Sequence, residues 1–400
     1  MRVFIDEIKA SIYETPKANI VIFESSKAQV KIRIEGEKVS AIRPLRLNIS
    51  PKNEFSANVP EKLSVEFENE KPLFIFLYHP EKVNPDNYTY YFKKGVHNTH
   101  DITLHGGETI YVECGAVLKA HIDAENAENI KISGHGIIDT SEIGAKKHRM
   151  IKFTRCKNVE LSEVTLLGAI DWCIVFINCK FAKADMLNIV TWEVNGDGVD
   201  VVGSKNIEIT KCFFYTADDC VAIKATAYDD ICGCNNVHDV RVNGCVLWNQ
   251  RPGNALEIGF ETRCEDISDI IFSDCDVLHC EYEGYQSGGV FTIHNGDRAI
   301  IHDIIYKDIR VEDASQKLFD FKIFKTKYSV DETRGFIHNI TAENISVLCD
   351  ELPPSIIRSF DNEHGIKNIE IKKLTHLGRK IDSMLKGHFI VESGSSVKFK

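Results

Sequence analysis

The stretch NGDGVDVVGSKNIEITKCFFYTADDCVAIKA, residues 195–225, decides how the chain reads. Its middle, NIEITKCFFY from Asn206, starts on Asn, sets Ile at +1 and +3, breaks on a polar pair and resumes with apolar residues. Period two interrupted by a polar pair means a short strand, a bend and another short strand. The pattern recurs as NIKISGHGII from Asn129, NVELSEVTLL from Asn158, DVRVNGCVLW from Asp239, DIIFSDCDVL from Asp269, DIIYKDIRVE from Asp303, NITAENISVL from Asn339 and NIEIKKLTHL from Asn368. Most starts lie about thirty residues apart. The wider gap between Asn158 and Asn206 has room for one further unit, around CKFAKADMLNIVTWE.

One such unit cannot bury its apolar face alone, whereas stacked units can. Unit length, strand content and scarce helix signals predict an all-β parallel β-helix. The column at +6 reads His135, Val164, Cys212, Cys245, Cys275, Ile309, Ile345 and Leu374. Stacked rungs turn such a column into a ladder, in which the cysteines serve as small buried hydrophobes. The first hundred residues show no repeat. NIVIFESS, AQVKIRIEG, RLNISP, KLSVEFE and LFIFLYHP are short strands between turn residues, which predicts a small antiparallel β-sandwich. The expected division is a sandwich domain over residues 1–90 and a β-helix domain over residues 91–400.

Totals narrow the partners. The 400 residues carry a formal net charge of -11, which argues against nucleic acid as a partner. No run of about eighteen apolar residues offers a membrane span. The start, MRVFIDEIKASIYETPKANIVIF, sets charges where an export signal needs an apolar run. The thirteen cysteines, an odd number and mostly isolated, read as free thiols. Together these predict a cytoplasmic protein, with an exported form that has lost its leader left open. Cys232-Gly-Cys234 is the only close cysteine pair, so no metal is expected, and no cofactor.

Asp197, Asp218 and Asp219 stand in apolar surroundings, not among lysines. Asp197 and Asp218 lie roughly one rung apart, so neighbouring rungs can bring the acids together. Alternation points Asp218 and Asp219 to opposite faces, unless a bend at the strand end lets both reach one cleft. Crowded carboxylates repel, so at least one holds its proton more tightly. A protonated acid beside an ionised base is what glycosidic bond cleavage needs: one protonates the leaving oxygen, the other activates water. Asp and Asn also cap turns in β-solenoids, and Asp219 or Asp200 could do only that. On spacing alone the two readings stand level.

NGDGVD followed by ADDCVAIK resembles the Asn-x-Asp and Asp-Asp signatures of the polygalacturonase family of glycoside hydrolases, and of the related dextranase and isopullulanase family. The likeness extends to GGETIYVECGAVLKAHI and NIKISGHGIID and covers roughly residues 90 to 350. It implies a right-handed parallel β-helix that hydrolyses glycosidic bonds with inversion. Carried over by motif, Asp218 is the general acid, and Asp197 and Asp219 hold and deprotonate the water. Asn195, Lys224 and the Gly253-Asn254 turn line the cleft. The sandwich ahead of the helix, and VLWNQRPGNALEIGF, look more like the dextranase side. Three departures stand out. Gly253-Asn254-Ala255 replaces the family's Gly-His-Gly, Gly196 stands where Thr is frequent, and GGVFTIHN carries no counterpart of the Arg-Ile-Lys that grips a sugar carboxylate. The expected substrate is therefore an oligo- or polysaccharide of neutral α-linked sugars. The alternatives are a uronate glycan cleaved in polygalacturonase fashion, a carbohydrate-binding β-helix without catalysis, and a lyase.

Further candidates are weaker. Trp192, Trp248, Tyr282 and Tyr285 can stack on sugar rings, Trp248 foremost because it leads into the Asn254 turn. Glu257, on the rung of Asn254, is a candidate for a sugar hydroxyl, and His294 and His279 for substrate contact, against the commoner structural role of each. Lys224 follows the Asp pair and either binds substrate or holds an acid ionised. Arg251, Arg263 and the run KKHRM from Lys146 read as solvated charge.

Overall fold

A computed structural model of the chain describes residues 1–143, 149–228, 231–281, 288–392 and 394–400. From Tyr90–Phe92 to Val397–Phe399 the chain winds as a parallel β-helix, 31 strands among the described residues, in which most strands pair in parallel with an equivalent one a turn later. The gap after Asn158 does hold a further turn, with strands Lys180–Asp185 and Asn188–Val190.

The Asn and Asp that open each repeat have a definite job. Asn129, Asn158, Asn206, Asp239, Asp269, Asp303, Asn339 and Asn368 all take φ between 55° and 62°. They sit where the coil turns a corner, in the left-handed region that their short polar side chains tolerate best. Their amides also bond from turn to turn, as Asn158 Nδ2 does to Asn129 Oδ1 at 3.1 Å and Asn368 Nδ2 to Asn339 Oδ1 at 3.2 Å. In the extra turn this place falls to Phe181, at φ 58°.

Period two sends alternate residues inward. Register places Phe153, Phe176, Val201, Ile223, Ile258, Ile293 and Phe321 in one inward column. All are buried, and the Phe153 and Phe176 rings stack at 5.6 Å. Cys212, Cys245 and Cys275 are free, wholly buried thiols in the neighbouring column.

Ahead of the coil lie two small sheets. One joins Ile8–Lys9, Arg2–Ile5, Gln29–Glu35 and Glu54–Asn58, all antiparallel. The other runs Tyr13–Glu14, Asn19–Glu24, Leu73–Tyr78, Glu61–Phe67, Val39–Arg43. In it Asn19–Glu24 and Leu73–Tyr78 are parallel, which departs from the antiparallel expectation. The reason is burial. Leu73, Ile75 and Leu77 face the core of the small sheets, while Phe74, Phe76 and Tyr78 pack on Phe213, Tyr215, Leu167 and Val190 of the coil. A strand apolar on both faces belongs in the middle of a sheet, covered on both sides. Arg43 to Glu312 at 2.8 Å and Lys62 Nζ to the carbonyls of Met186 and Leu187 at 2.6 and 2.8 Å tie the same interface. Among the described residues, no helix is long and apolar enough to cross a membrane.

Candidate active site

The acids stand where the register puts them. Ile174, Val199, Val221, Leu256 and Phe291 are aligned across five turns. Two residues before each come Trp172, Asp197, Asp219, Asn254 and Gly289, a column at the bend leading into these strands. Main-chain bonds hold it: Cys173 N–H donates to Asp197 O at 2.9 Å, Gly198 N–H to Asp219 O at 2.8 Å and Cys220 N–H to Asn254 O at 2.9 Å. Asp218 precedes its strand too, so the alternation that would separate it from Asp219 does not apply. Both line one cleft, of about 700 Å³, with Asp197. Carboxylate oxygens of the three acids lie within 4.8 Å of one another.

The turn at Gly253 keeps this geometry. With φ 104°, a Cβ there would meet the Asp218 carbonyl carbon at 2.5 Å and Asp219 N at 2.6 Å, so only glycine fits. Gly196 has a similar cause. A Cβ there would lie 2.7 Å from Glu193 O and 2.9 Å from Thr191 Oγ1, which explains its departure from the family pattern. Asn254, in place of histidine, gives both its backbone and its side-chain N–H to Asp219 Oδ1, each at 2.8 Å. Asp218 accepts from Asn195 N–H at 3.3 Å and Asp219 N–H at 3.0 Å.

Asp197 and Asp219 are buried, whereas Asp218 is partly open to the cleft. Burial first, and then Asp200 and Asp218, push the Asp197 carboxyl well above the usual range. Burial, Asp218 and Glu257 do the same to Asp219. Lys224 works against both shifts. Its ammonium lies 2.9 Å from Asp200 and 3.5 Å from Asp197, 4.1 Å from the Trp172 ring centroid. Burial opposes its charge, but Asp200 and Asp197 outweigh that and raise its pKa. Asp200, wholly buried, is pushed up to about 6 by burial, with Lys224 restraining the shift. It is a counter-charge beneath the cleft rather than a turn cap.

Of the sequence candidates, Asp197, Asp218, Asp219, Asn195, Lys224 and Asn254 line the cleft together. Three do not, and each is corrected by packing. Trp248 lies on another face, against Phe74, Tyr215 and His279 at ring distances of 6.1, 5.1 and 4.1 Å, where the small sheets cover the coil. Glu257 and His294 are wholly buried, joined Nδ1 to Oε1 at 2.9 Å, with Phe260 stacked over the imidazole at 4.8 Å. His294 also meets Asp320 at 3.1 Å. Burial disfavours its charge, but Glu257 and Asp320 prevail and raise its pKa to about 9. His279 is held between Glu66 and Asp313, and Trp192 packs beside the small sheets. Tyr282, Tyr285 and residues 146–148 lie outside the described residues.

Sequence reasoning missed Asp171, Trp172, Phe260, Glu261, Lys327 and Tyr328 on the cleft walls, and it placed Arg149, in the run KKHRM, among solvated charges although that side chain is buried there. It placed Arg263 among solvated charges, but that side chain also lines the cleft, donating to Ala227 O at 2.9 Å. Trp172 had a signal: DWCIVF aligns with GDGVDVV once Ile174 is set against Val199. Arg263, Lys327 and Tyr328 had none, because they arrive from turns far along the chain. Glu81, His135 and Glu163 form a second cluster with a geometry open to a cation, at the edge of the small sheets.

The sequence pattern of glycosyl hydrolases family 28 matches residues 86–375. Polygalacturonase QRT2 of Arabidopsis thaliana is 26% identical over 214 residues, 48% of this chain and 44% of that protein. An endo-polygalacturonase of Pectobacterium carotovorum subsp. carotovorum is 25% identical over 239 residues, 56% of each. The chain thus spans about half the length of the curated relatives it matches. In three dimensions it is similar to Dex49A from Penicillium minioluteum, with TM-score 0.63, 15% identity and coverage of 96% of this chain and 83% of that one. It is also similar to an exopolygalacturonase from Thermotoga maritima, with TM-score 0.56, 15% identity and coverage of 78% and 82%. At these identities the structural likeness speaks for the fold alone.

Proposed function

We propose that this chain, which belongs to glycosyl hydrolases family 28, hydrolyses glycosidic bonds in a uronate-containing oligo- or polysaccharide. The observation that carries the reaction type is the convergence of Asp197, Asp218 and Asp219, oxygens within 4.8 Å, on a cleft floor beside Lys224. Asp218, the acid most open to the cleft, protonates the leaving oxygen as the bond breaks. Asp197 and Asp219 hold a water and take its proton as its oxygen attacks the anomeric carbon. Neighbouring carboxylates with raised pKa values can share a proton, and Lys224 stabilises the charge that remains.

Substrate class rests on charge. Arg149, Lys224, Arg263 and Lys327 all line the cleft. Lys224 is already paired with Asp200 and Asp197, and Arg149 faces Asp171 at 3.6 Å, so Arg263 and Lys327 are the cations to which a uronate carboxylate gives a partner and a neutral glucan does not. The names of the relatives support the same choice. The uronate reading therefore displaces the neutral α-glycan suggested by the missing Arg-Ile-Lys. Inversion belongs to the proposal, because water attacks directly. Two-carboxylate inverting sites usually hold their groups roughly 6.5–9.5 Å apart, so the anomer of the first product, read by NMR, is the decisive check. A cytoplasmic location, and a division into domains over residues 1–90 and 91–400, complete the reading.

The test is to incubate purified protein with oligogalacturonides and with neutral α-glucans, and to follow released sugar by chromatography. The expected result is release from the uronates, lost in Asp218→Asn. Release from the glucans alone overturns the substrate class, and turnover by Asp218→Asn equal to the parent overturns the role of that acid.

A further inference from the structure

We propose a second glycan-binding site on this chain, remote from the acids, for a strand of acidic polysaccharide, built on Lys180, Lys205 and Phe181. It takes its ligand class from the uronate reading above.

Register stacks Lys157, Lys180, Lys205 and His238 on four consecutive turns. Parallel strands about 4.8 Å apart make this a row about 14 Å long, on a chain whose net charge is -11. The ends of the row have acidic neighbours: Lys157 meets Glu128 at 3.8 Å and His238 meets Asp266 at 3.9 Å. Lys180 and Lys205, in the middle, form no ion pair among the described residues. Both line a groove of about 490 Å³, with Asn178 and Asn235 as amide neighbours. The one carboxylate on its walls, Glu265, is tied to Arg298 at 2.9 Å. Cations spaced one per turn suit a ligand that repeats a carboxylate along an extended sugar chain.

Phe181 is the independent observation. In the eight other turns from Asn129 to Asn368 this register position holds Asn or Asp, because that corner takes a left-handed backbone. Phe181 adopts φ 58° with a bulky ring, a conformation that ordinary side chains avoid. The residue is 53% exposed, so core packing does not account for it. It follows Lys180 in the chain and offers an exposed apolar ring outside the groove walls. A sugar ring uses that combination, its C–H face on the aromatic and its carboxylate on the ammonium. One hairpin and the chain leaving it border both the cleft and the groove. The hairpin of Val221–Tyr228 with Ile231–Gly233 gives Thr226 and Ala227 to the cleft, and the chain leaving it gives Cys234 to the groove. A long substrate strand held at Lys180 and Lys205 is thereby tethered to the chain that carries the acids.

The test uses the full chain with Asp218→Asn, so that the ligand survives. Polygalacturonate, trigalacturonate and dextran are titrated at low salt by calorimetry, with the same chain carrying also Lys180→Glu and Lys205→Glu, or Phe181→Ala. Expected are polygalacturonate binding weakened about tenfold or more by the double charge reversal and weakened by raising salt to about 0.5 M. A loss of a few-fold with Phe181→Ala and unchanged cleft binding of the trimer complete the pattern. With Asp218 restored, the double reversal lowers kcat/KM on the polymer and leaves it unchanged on the trimer. Polygalacturonate binding that ignores the charge reversal overturns the proposal, and equal binding of dextran overturns the acidic class. The two readings fail separately. Binding that depends on Lys180 and Lys205 without hydrolysis of any uronate sinks the activity and leaves this site. Hydrolysis with binding indifferent to those lysines does the opposite.

Discussion

The column Asn158, Asn206, Asp239, Asp269, Asp303, Asn339 and the column Asp197, Asp219, Asn254 are made of the same two residue types. Both are set at bends of one coil, one residue per turn. In the first, every φ is near +57°, the side chains are exposed or half-exposed, and amides pair with neighbours, as Asn339 does with Asp303 at 3.2 Å. In the second, no φ is positive and every side chain is buried. The acids there face one another and a single shared ammonium. The titrations diverge accordingly. A hydrogen bond from His302 lowers the pKa of Asp303 below its ordinary value, while burial and like charge raise those of Asp197 and Asp219. The same carboxyl is a corner piece in one place and a reactive group in the other, because solvent and donors are supplied in one and withheld in the other.

That contrast can be broken at several points. The largest effect expected is on turnover: Asp218→Asn lowers kcat by about 10²–10⁴-fold with little change in melting temperature. Asp239→Asn, in the other column, leaves kcat within about twofold. Equal losses at both sites would erase the distinction. Next comes Lys224→Met, which strands Asp200 and Asp197 in the interior and should cost about 3–5 kcal/mol in denaturant unfolding; a loss below about 1 kcal/mol would mean the acids simply take up protons. A core control, Phe176→Ala, should cost a similar 3–5 kcal/mol with no specific effect on substrate affinity.

The pH dependence sharpens the comparison further. Asp197 and Asp219 have raised folded pKa values, so their contribution to stability is present at acid pH and is lost as pH rises through those values. Asp303 is lowered, so its contribution is present above its ordinary 3.8 and is lost as pH falls through the folded value. Carbon-13 titration of labelled carboxyls should put the two groups on opposite sides of 3.8; coincident midpoints would refute the electrostatic account. The smallest effects are at the corners. Asn206→Ala should cost about 1 kcal/mol, and Phe181→Asn should add up to about 1 kcal/mol by relieving the left-handed strain. A Phe181→Asn chain that melts lower than the parent would mean the exposed ring has packing value after all.

Much of this was legible in the chain. The repeat from Asn129 to Asn368 fixed the coil, since only period two broken by a corner residue satisfies that spacing. The clustering of Asp197, Asp218 and Asp219 followed from setting one turn on the next. Trp248, Glu257 and His294 were misplaced because strand order tells which turn a residue occupies, not what lies over it. The small sheets cover Trp248, and Phe260 covers His294.

By itself, then, the sequence determined the architecture and the acid cluster, because both are local: a periodic pattern within about thirty residues, repeated. Only the tertiary structure decided which wall residues share the cleft, which of the acids are buried, and where the counter-charges stand. Arg149, Arg263 and Lys327 reach the site from separate turns, and burial and electrostatic coupling are properties of the packed coil that no stretch of chain carries alone.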